Sequence, residues 1–247
     1  MSRALADVLA VILRDPGRPR LTWYGDGGER VDLSGAVLVN WLHKTANLLV
    51  EEADAGPGTR VLLDLPGHWR TVVWALATWR VGACVVLPPD DDVSDLVPSD
   101  DAPVDLVVTD RPEAYGSAPA LVAVALPALA RRFDGPLPPG ALDAAGVVLG
   151  YGDALGWVPP LDPAAPALVG PDAATTTHAA LVPPAGARAR RLLDAADLAV
   201  DALLREVLAA LASDGSVVLV GGEAAAGVRA DPARRAALVA QERITAS

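Results

Sequence analysis

Cysteine is nearly absent from this sequence. Cys84 is the only one in 247 residues, so no disulfide can form within the chain. The segment Met1 to Arg14 places Asp7 among its apolar residues and has no small-residue cleavage site after a hydrophobic core, so a cytoplasmic location is expected. Lysine is equally scarce: of 20 Lys and Arg, Lys44 is the single lysine, and any chemistry that needs a lysine amine must use it. The three histidines, His43, His68 and His178, follow no zinc-like spacing, and no metal is expected. Long hydrophobic runs are missing too. The 52% hydrophobic fraction and mean hydropathy of +0.33 owe much to alanine. The longest apolar run, Ala120 to Ala130, is about half of the ~20 residues a spanning helix needs and contains Pro127. Clustered positive charge is also lacking. A net charge of −11 argues against nucleic acid and against anionic membrane surfaces as partners.

The patterning that is present describes an α/β fold. Ser2 to Arg14 reads as a short helix ended by Asp15-Pro16-Gly17. Leu21–Tyr24 and Arg30–Leu33 flank Gly25-Asp26-Gly27-Gly28, which predicts a β-hairpin. Ser34 then caps a long helix with Leu38, Trp41, Leu42 and Leu49 on its apolar stripe and Asn40, Lys44, Asn47 and Glu51 opposite. Strand Arg60–Leu65, helix Trp69–Arg80 and strand Cys84–Leu87 follow, with further strands at Val104–Thr109 and Leu121–Ala125. Near-continuous apolar strands alternating with helices imply layered parallel sheets with helices on both faces. Ala141–Gly156 fits no single pattern. An amphipathic helix around Val200–Leu211, a strand Val217–Val220 and a helix Pro232–Gln241 close the chain. The expected division is two packed lobes, residues 1–158 and 172–247, joined by a Pro-rich linker at 159–171, or one continuous domain.

Several blocks resemble, in order, the N-terminal part of the adenylate-forming superfamily of acyl-CoA synthetases, peptide-synthetase adenylation domains and luciferases. They are Leu21-Thr22-Trp23-Tyr24, Gly28–Ser34, Thr45–Leu49, Gly56-Pro57-Gly58-Thr59-Arg60-Val61, Leu65-Pro66-Gly67, Trp74–Ala77, Val81-Gly82-Ala83 and Pro88. Weaker likenesses continue through Gly152-Asp153, Asp162–Leu168, Leu208–Leu211, Gly215–Leu219, Asp231-Pro232 and Glu242-Arg243-Ile244-Thr245. The family's phosphate loop is rich in Ser, Thr and Gly and ends in Gly-x-Pro-Lys. Here Gly170-Pro171-Asp172-Ala173-Ala174-Thr175-Thr176-Thr177-His178 stands at that place, without the glycines or the lysine. The family's later ATP-binding motifs and lysine-bearing lid have no counterpart, and Lys44 lies in the wrong part of the pattern. The resemblance therefore implies a truncated, degenerate relative, noncatalytic by itself. It would bind a protein partner, itself, or a small acyl or nucleotide ligand; ATP or AMP binding has no motif behind it, so no cofactor is expected. Two rivals stay open: half of a split acyl-CoA or aryl-CoA synthetase, and a structural dimerisation module.

Among candidate sites, Thr175, Thr176, Thr177 and His178 are the cofactor-binding candidates, a remnant of the phosphate loop; hydroxyls at a helix start hold a phosphate or simply cap the helix. Gly222–Gly227 has the spacing of a phosphate-cradling loop, but Val228-Arg229 replaces its Lys and Ser/Thr, which favours an ordinary strand-to-helix loop. Gly150–Gly156 approaches a dinucleotide fingerprint with the spacing off by one. Asp90, Asp91, Asp92, Asp95, Asp100 and Asp101 form either a Ca²⁺-binding cluster or a solvated loop, the latter favoured by the lack of EF-hand spacing. No Gly-x-Ser-x-Gly occurs, and Cys84, inside an apolar strand, reads as structural; no catalytic residue is assigned.

Overall fold

Residues 4–89 and 103–246 are described by a computed structural model, so the Asp90–Asp101 cluster lies outside the described residues. Helix α1 (Leu5–Ile12) starts where the Asp7 carboxylate accepts from the Ala4 amide. Strands β1 (Pro19–Tyr24) and β2 (Arg30–Ser34) form the expected antiparallel hairpin. Its turn needs Gly27 and Gly28, whose φ angles of +58° and +78° disfavour a side chain. The Ser34 hydroxyl accepts from Val37 N and caps α2 (Gly35–Ala53). The β-α-β expectation appears as β3 (Arg60–Asp64), α3 (Trp69–Arg80) and β4 (Cys84–Val86), with β3 and β4 parallel.

Beyond residue 102 come β5 (Leu106–Thr109), β6 (Leu121–Ala123), β7 (Leu142–Asp143), the one-turn α4 (Ala144–Val147), β8 (Pro166–Val169), β9 (Thr175–Thr177) and the one-turn α5 (His178–Leu181). The remainder is β10 (Arg190–Asp194), α6 (Val200–Ala212), β11 (Ser216–Val220), α7 (Gly222–Ala230) and α8 (Pro232–Gln241). The chain divides into two units. The first holds Met1–Val39, Pro66–Val72 and Val182–Ser247; the second holds Asn40–Leu65 and Val73–Leu181.

The first unit contains a four-stranded sheet in the order β10-β11-β1-β2, parallel except for β2. Strand side chains alternate between faces. Val218 and Val220 accordingly join Leu192, Ala225, Val228 and Leu238 in one cluster that packs α7 and α8 against β10 and β11. Helix α6 buries Leu203, Leu204, Val207, Leu208 and Leu211, the stripe its sequence pattern implied. The buried Arg20 guanidinium donates to the Ile12 carbonyl at the end of α1 and, at 2.7 Å, to Asp214. A cation thereby meets both a helix C-terminus and a carboxylate.

The second unit contains a seven-stranded sheet in the order β7-β6-β5-β3-β4-β8-β9, parallel apart from the β8–β9 hairpin. Leu62, Val104, Val107, Tyr115 and Leu121 form a core cluster on it. The division expected at 159–171 differs from the observed one. Pro166–Val169 is not linker but strand β8, whose Leu168 and Val169 pair with Val85 and Val86 of β4. The chain leaves the first unit and returns to it, so a cut by sequence position could not follow the units. Among the described residues no helix is long and apolar enough to cross a membrane.

Candidate functional site

In an open parallel sheet, ligands favour the carboxyl ends of strands where the strand order reverses. In the second unit that place lies between β3 and β5, since β4 sits on one side of β3 and β5 on the other. Asp64 ends β3 in register with Thr109, which ends β5. The Asp64 carboxylate is 5% exposed and accepts from Thr109 Oγ1 at 3.1 Å, Tyr115 OH at 3.0 Å and Arg111 Nη2 at 2.7 Å. The hydrogen bond to Asp64 raises the Arg111 pKa, while burial and then the Asp64 charge push the Tyr115 phenol up. Burial also raises the neighbouring Asp110 carboxyl. A carboxylate with this many donors is a latch that orders residues 109–115. This network was missed in the sequence; its one signal was an Asp closing the apolar run Arg60-Val-Leu-Leu-Asp64.

Thr175, Thr176 and Thr177 form strand β9, and Thr177 directly precedes the one-turn helix α5 that begins at His178. They lie on the outer strand of a hairpin whose turn runs from Gly170 to Ala174. Gly170 N donates to Ala174 O, Ala173 N to Gly170 O, and Ala174 N to the Asp172 carboxylate at 3.0 Å. The amides of Gly170, Ala173 and Ala174 thus have internal acceptors, and the turn's one charged group is an anion. A phosphate would find neither a cradle nor a cation, so the residues present do not fit the nucleotide phosphates that the fold family implies. His178 is buried; its Nε2 lies 3.3 Å from Gly82 O, and burial lowers its pKa, which keeps the ring neutral.

Lys44 is equally committed. Its ammonium donates to Leu149 O and Tyr151 O and pairs with Asp153 at 2.8 Å. Asn47, expected on the solvent face of α2, is buried: it donates to Gly152 O and Ala154 O and accepts from Gly156 N. The glycine-rich segment 150–156 is therefore a loop tied to α2. Its glycines let the backbone approach these side chains, and no phosphate is needed to explain them.

In the first unit, Gly222–Ala230 is helix α7, so the spacing read as a loop lies along helical turns. Asp26 occupies its N-terminus, accepting from Glu223 N at 2.6 Å; a Cβ on Gly222 would stand 1.8 Å from Asp26 Oδ1. The chain's own carboxylate holds the position an anion would take. Nearby, His68 meets Trp23 edge-on at 4.4 Å and accepts from Arg70 N. Burial, followed by the Arg70 charge, pushes its pKa down to about 3, so the ring is neutral. Burial raises the Cys84 thiol, in keeping with a structural role. Among the described residues no group of three or more His, Cys, Asp or Glu is placed to hold a metal.

No family model matches the sequence. A curated protein of Mycobacterium tuberculosis, described as a TIGR03089 family protein, is 35% identical over 251 residues, covering 96% of this chain and 95% of that protein. Among solved structures, the N-terminal subdomain of Klebsiella oxytoca NpsA in complex with 3-hydroxybenzoyl-AMSN matches with a TM-score of 0.65 at 16% identity, over 99% of this chain and 59% of that one. A variant of the amide bond synthetase Mcba from Marinactinospora thermotolerans gives 0.67 at 17% identity, over 98% and 48%. Acetoacetyl-CoA synthetase from Streptomyces lividans gives 0.67 at 16% identity, over 89% and 38%. The chain thus spans 38% to 59% of these solved proteins, and at such identities the likeness is one of fold.

Proposed function

Since the chain belongs to the TIGR03089 family and has the fold of the N-terminal portion of adenylate-forming enzymes, we propose that it is a noncatalytic member of that fold with a binding or scaffolding role. The observation that carries this reading is the hairpin at 170–174, where Asp172 faces the amides and no lysine is at hand, Lys44 being tied to residues 149–153. Phosphoryl and adenylyl chemistry depend on positioned cations and amide donors to hold developing negative charge. A carboxylate in that position opposes such charge. The reading is tested by incubating the purified chain with ATP, Mg²⁺ and a panel of carboxylic acids and measuring acyl-adenylate by mass spectrometry; adenylate formed at enzymatic rates overturns it. Thermal unfolding with the same compounds separates ligand binding from scaffolding. A ligand at 100 times its Kd stabilises the native state by about 2.7 kcal/mol, and no shift across the panel favours a protein partner.

One feature favours a second reading, half of a split synthetase. Among the described residues the outer side of β10 is paired only at the parallel bridge between Arg191 and Ala246. An edge of this kind accepts a strand from another chain. This reading requires a second polypeptide that supplies a phosphate loop and a lysine and that restores adenylation when mixed with this one.

A further inference from the structure

A cleft of about 570 Å³ opens in the first unit at the starts of β1, β10 and β11, marked by Pro19, Arg190 and Ser216. It lies at the edge opposite the carboxyl ends of those strands. Its volume falls within the range of small-molecule sites, roughly 300–1,000 Å³. Arg18, Arg30, Arg188, Arg190 and Arg243 line it, against the two carboxylates of Asp32 and Glu242. Asp214 pairs with Arg18 and Arg188 at 3.5 Å, yet it also neutralises the buried Arg20. The lining therefore carries three more arginines than carboxylates, with Asp15 acting on Arg18 from outside it, in a chain of net charge −11. Burial, followed by repulsion from Arg188 and Arg20, lowers the Arg18 pKa.

The arginines differ in what they have left to give. Arg190 is engaged by Ser216, Thr22 and Glu242, and Arg30 by Tyr24, Asp32 and Glu242. Among the described residues Arg188 holds only a long contact with Asp214, and its side chain is 60% exposed. Arg243 is exposed, and among the described residues no carboxylate lies within ion-pair distance of it. It also sits at φ +52°, just past the end of α8, a position that favours glycine. A bulky cation held there against its backbone preference points to a use for the side chain. Guanidinium forks match phosphate oxygens two at a time. A phosphoryl group carries about −1.5 to −2 charge near neutral pH, so two of them balance the excess. The lining has no aromatic ring on which a nucleobase would stack.

We propose that this cleft binds a small anion bearing at least two linked phosphoryl groups, held by Arg18, Arg188 and Arg243. The site is built wholly from the first unit, and its test does not depend on adenylate formation. Isothermal titration of the purified chain with inorganic tripolyphosphate, at fixed ionic strength, should show saturable one-to-one binding. Arg188→Ala and Arg243→Gly should each raise the Kd about tenfold, the loss of one charge-assisted contact. Arg243→Gly should do so without lowering the Tm, because glycine suits that backbone. Arg132→Ala, at an exposed arginine elsewhere, should leave the Kd unchanged. Absence of saturable binding, unchanged affinity in the two cleft variants, or an equal loss in Arg132→Ala overturns the proposal. Orthophosphate binding as tightly as tripolyphosphate overturns the requirement for linked phosphoryl groups.

Discussion

The two units place polar side chains at the ends of mostly parallel sheets in opposite ways. In the second, three inward-drawn polar groups meet their match: Asp64 gathers Thr109, Tyr115 and Arg111, Asn47 has its bonds on one loop, and Lys44 faces carbonyls and Asp153. In the first, guanidiniums outnumber carboxylates around one cleft. Closed networks order backbone and offer a ligand little. An open one keeps electrostatic free energy that a counter-ion can release, and stabilisation and binding capacity are divided between the units accordingly.

Breaking the closed networks should produce the largest effects. Asp64→Ala strands the Tyr115 hydroxyl and Thr109 beside an unpaired Arg111. The expected loss is about 3 kcal/mol, moderated because the Arg111 side chain is 48% exposed. Urea unfolding should show a lower midpoint at unchanged slope, and a loss below ~1 kcal/mol would mean water replaces the latch. Asn47→Ala removes three partly buried hydrogen bonds to residues 152–156 and should cost about 2 kcal/mol. Amide exchange should accelerate at Gly156, whose donor loses its acceptor, before it accelerates in β3.

These networks also mark what the sequence could and could not disclose. Helices α3 and α8 were legible, because the apolar periodicity of the first stops at Arg80-Val-Gly82 and that of the second begins at the Asp231-Pro232 cap. The β1–β2 hairpin was legible from its glycines. Strand β10 was not, since Arg190-Arg191 opens it and only Leu192 and Leu193 are buried. Its pairing with β11 decides the matter, and pairing is not written locally. Asn47 was misplaced on a solvent face because helical periodicity does not foresee a distant loop folding over that face. For the same reason, the strand pairing of Thr175–Thr177, just ahead of the helix that starts at His178, stayed hidden, because its β8 partner lies in a proline-rich run.

A smaller effect separates the units by pH. The unfolded His68 titrates near 6.5, whereas in the fold it binds a proton only near pH 3. As pH falls below 6.5 the unfolded chain gains a proton that the folded chain refuses, so stability declines through that window, by at most about 1.4 kcal/mol per pH unit for this group. His178 of the second unit, lowered by burial, adds to the slope in the same direction. The Glu242 and Asp214 carboxyls, which burial alone would raise, are held lower by their arginine partners and, for Glu242, Tyr24; their share is lost only at more acidic pH. His68→Phe, which keeps a ring against Trp23, should flatten the decline between pH 6.5 and 5 in urea titrations. An unchanged slope would assign the whole effect to the second unit.

The smallest effect sharpens the contrast most. Each unit holds two non-glycine residues in the left-handed region, Asp54 and Ala173 in the second and Asp214 and Arg243 in the first; the pair to compare is Ala173 at φ +62° and Arg243 at φ +52°. Glycine at either position relieves the backbone but adds freedom to the unfolded chain, and the net gain should be about 0.5 kcal/mol in both. The methyl of Ala173 bears no charge, and the neighbouring turn amides are already satisfied, so Ala173→Gly should raise the Tm slightly and leave polyphosphate titrations untouched. Arg243→Gly should raise the Tm by a similar amount while weakening the same titration. Identical strain relief with different binding outcomes would separate a residue tolerated for its turn from one kept for its charge. If both variants bind alike, the left-handed arginine is a terminus of α8 and nothing more.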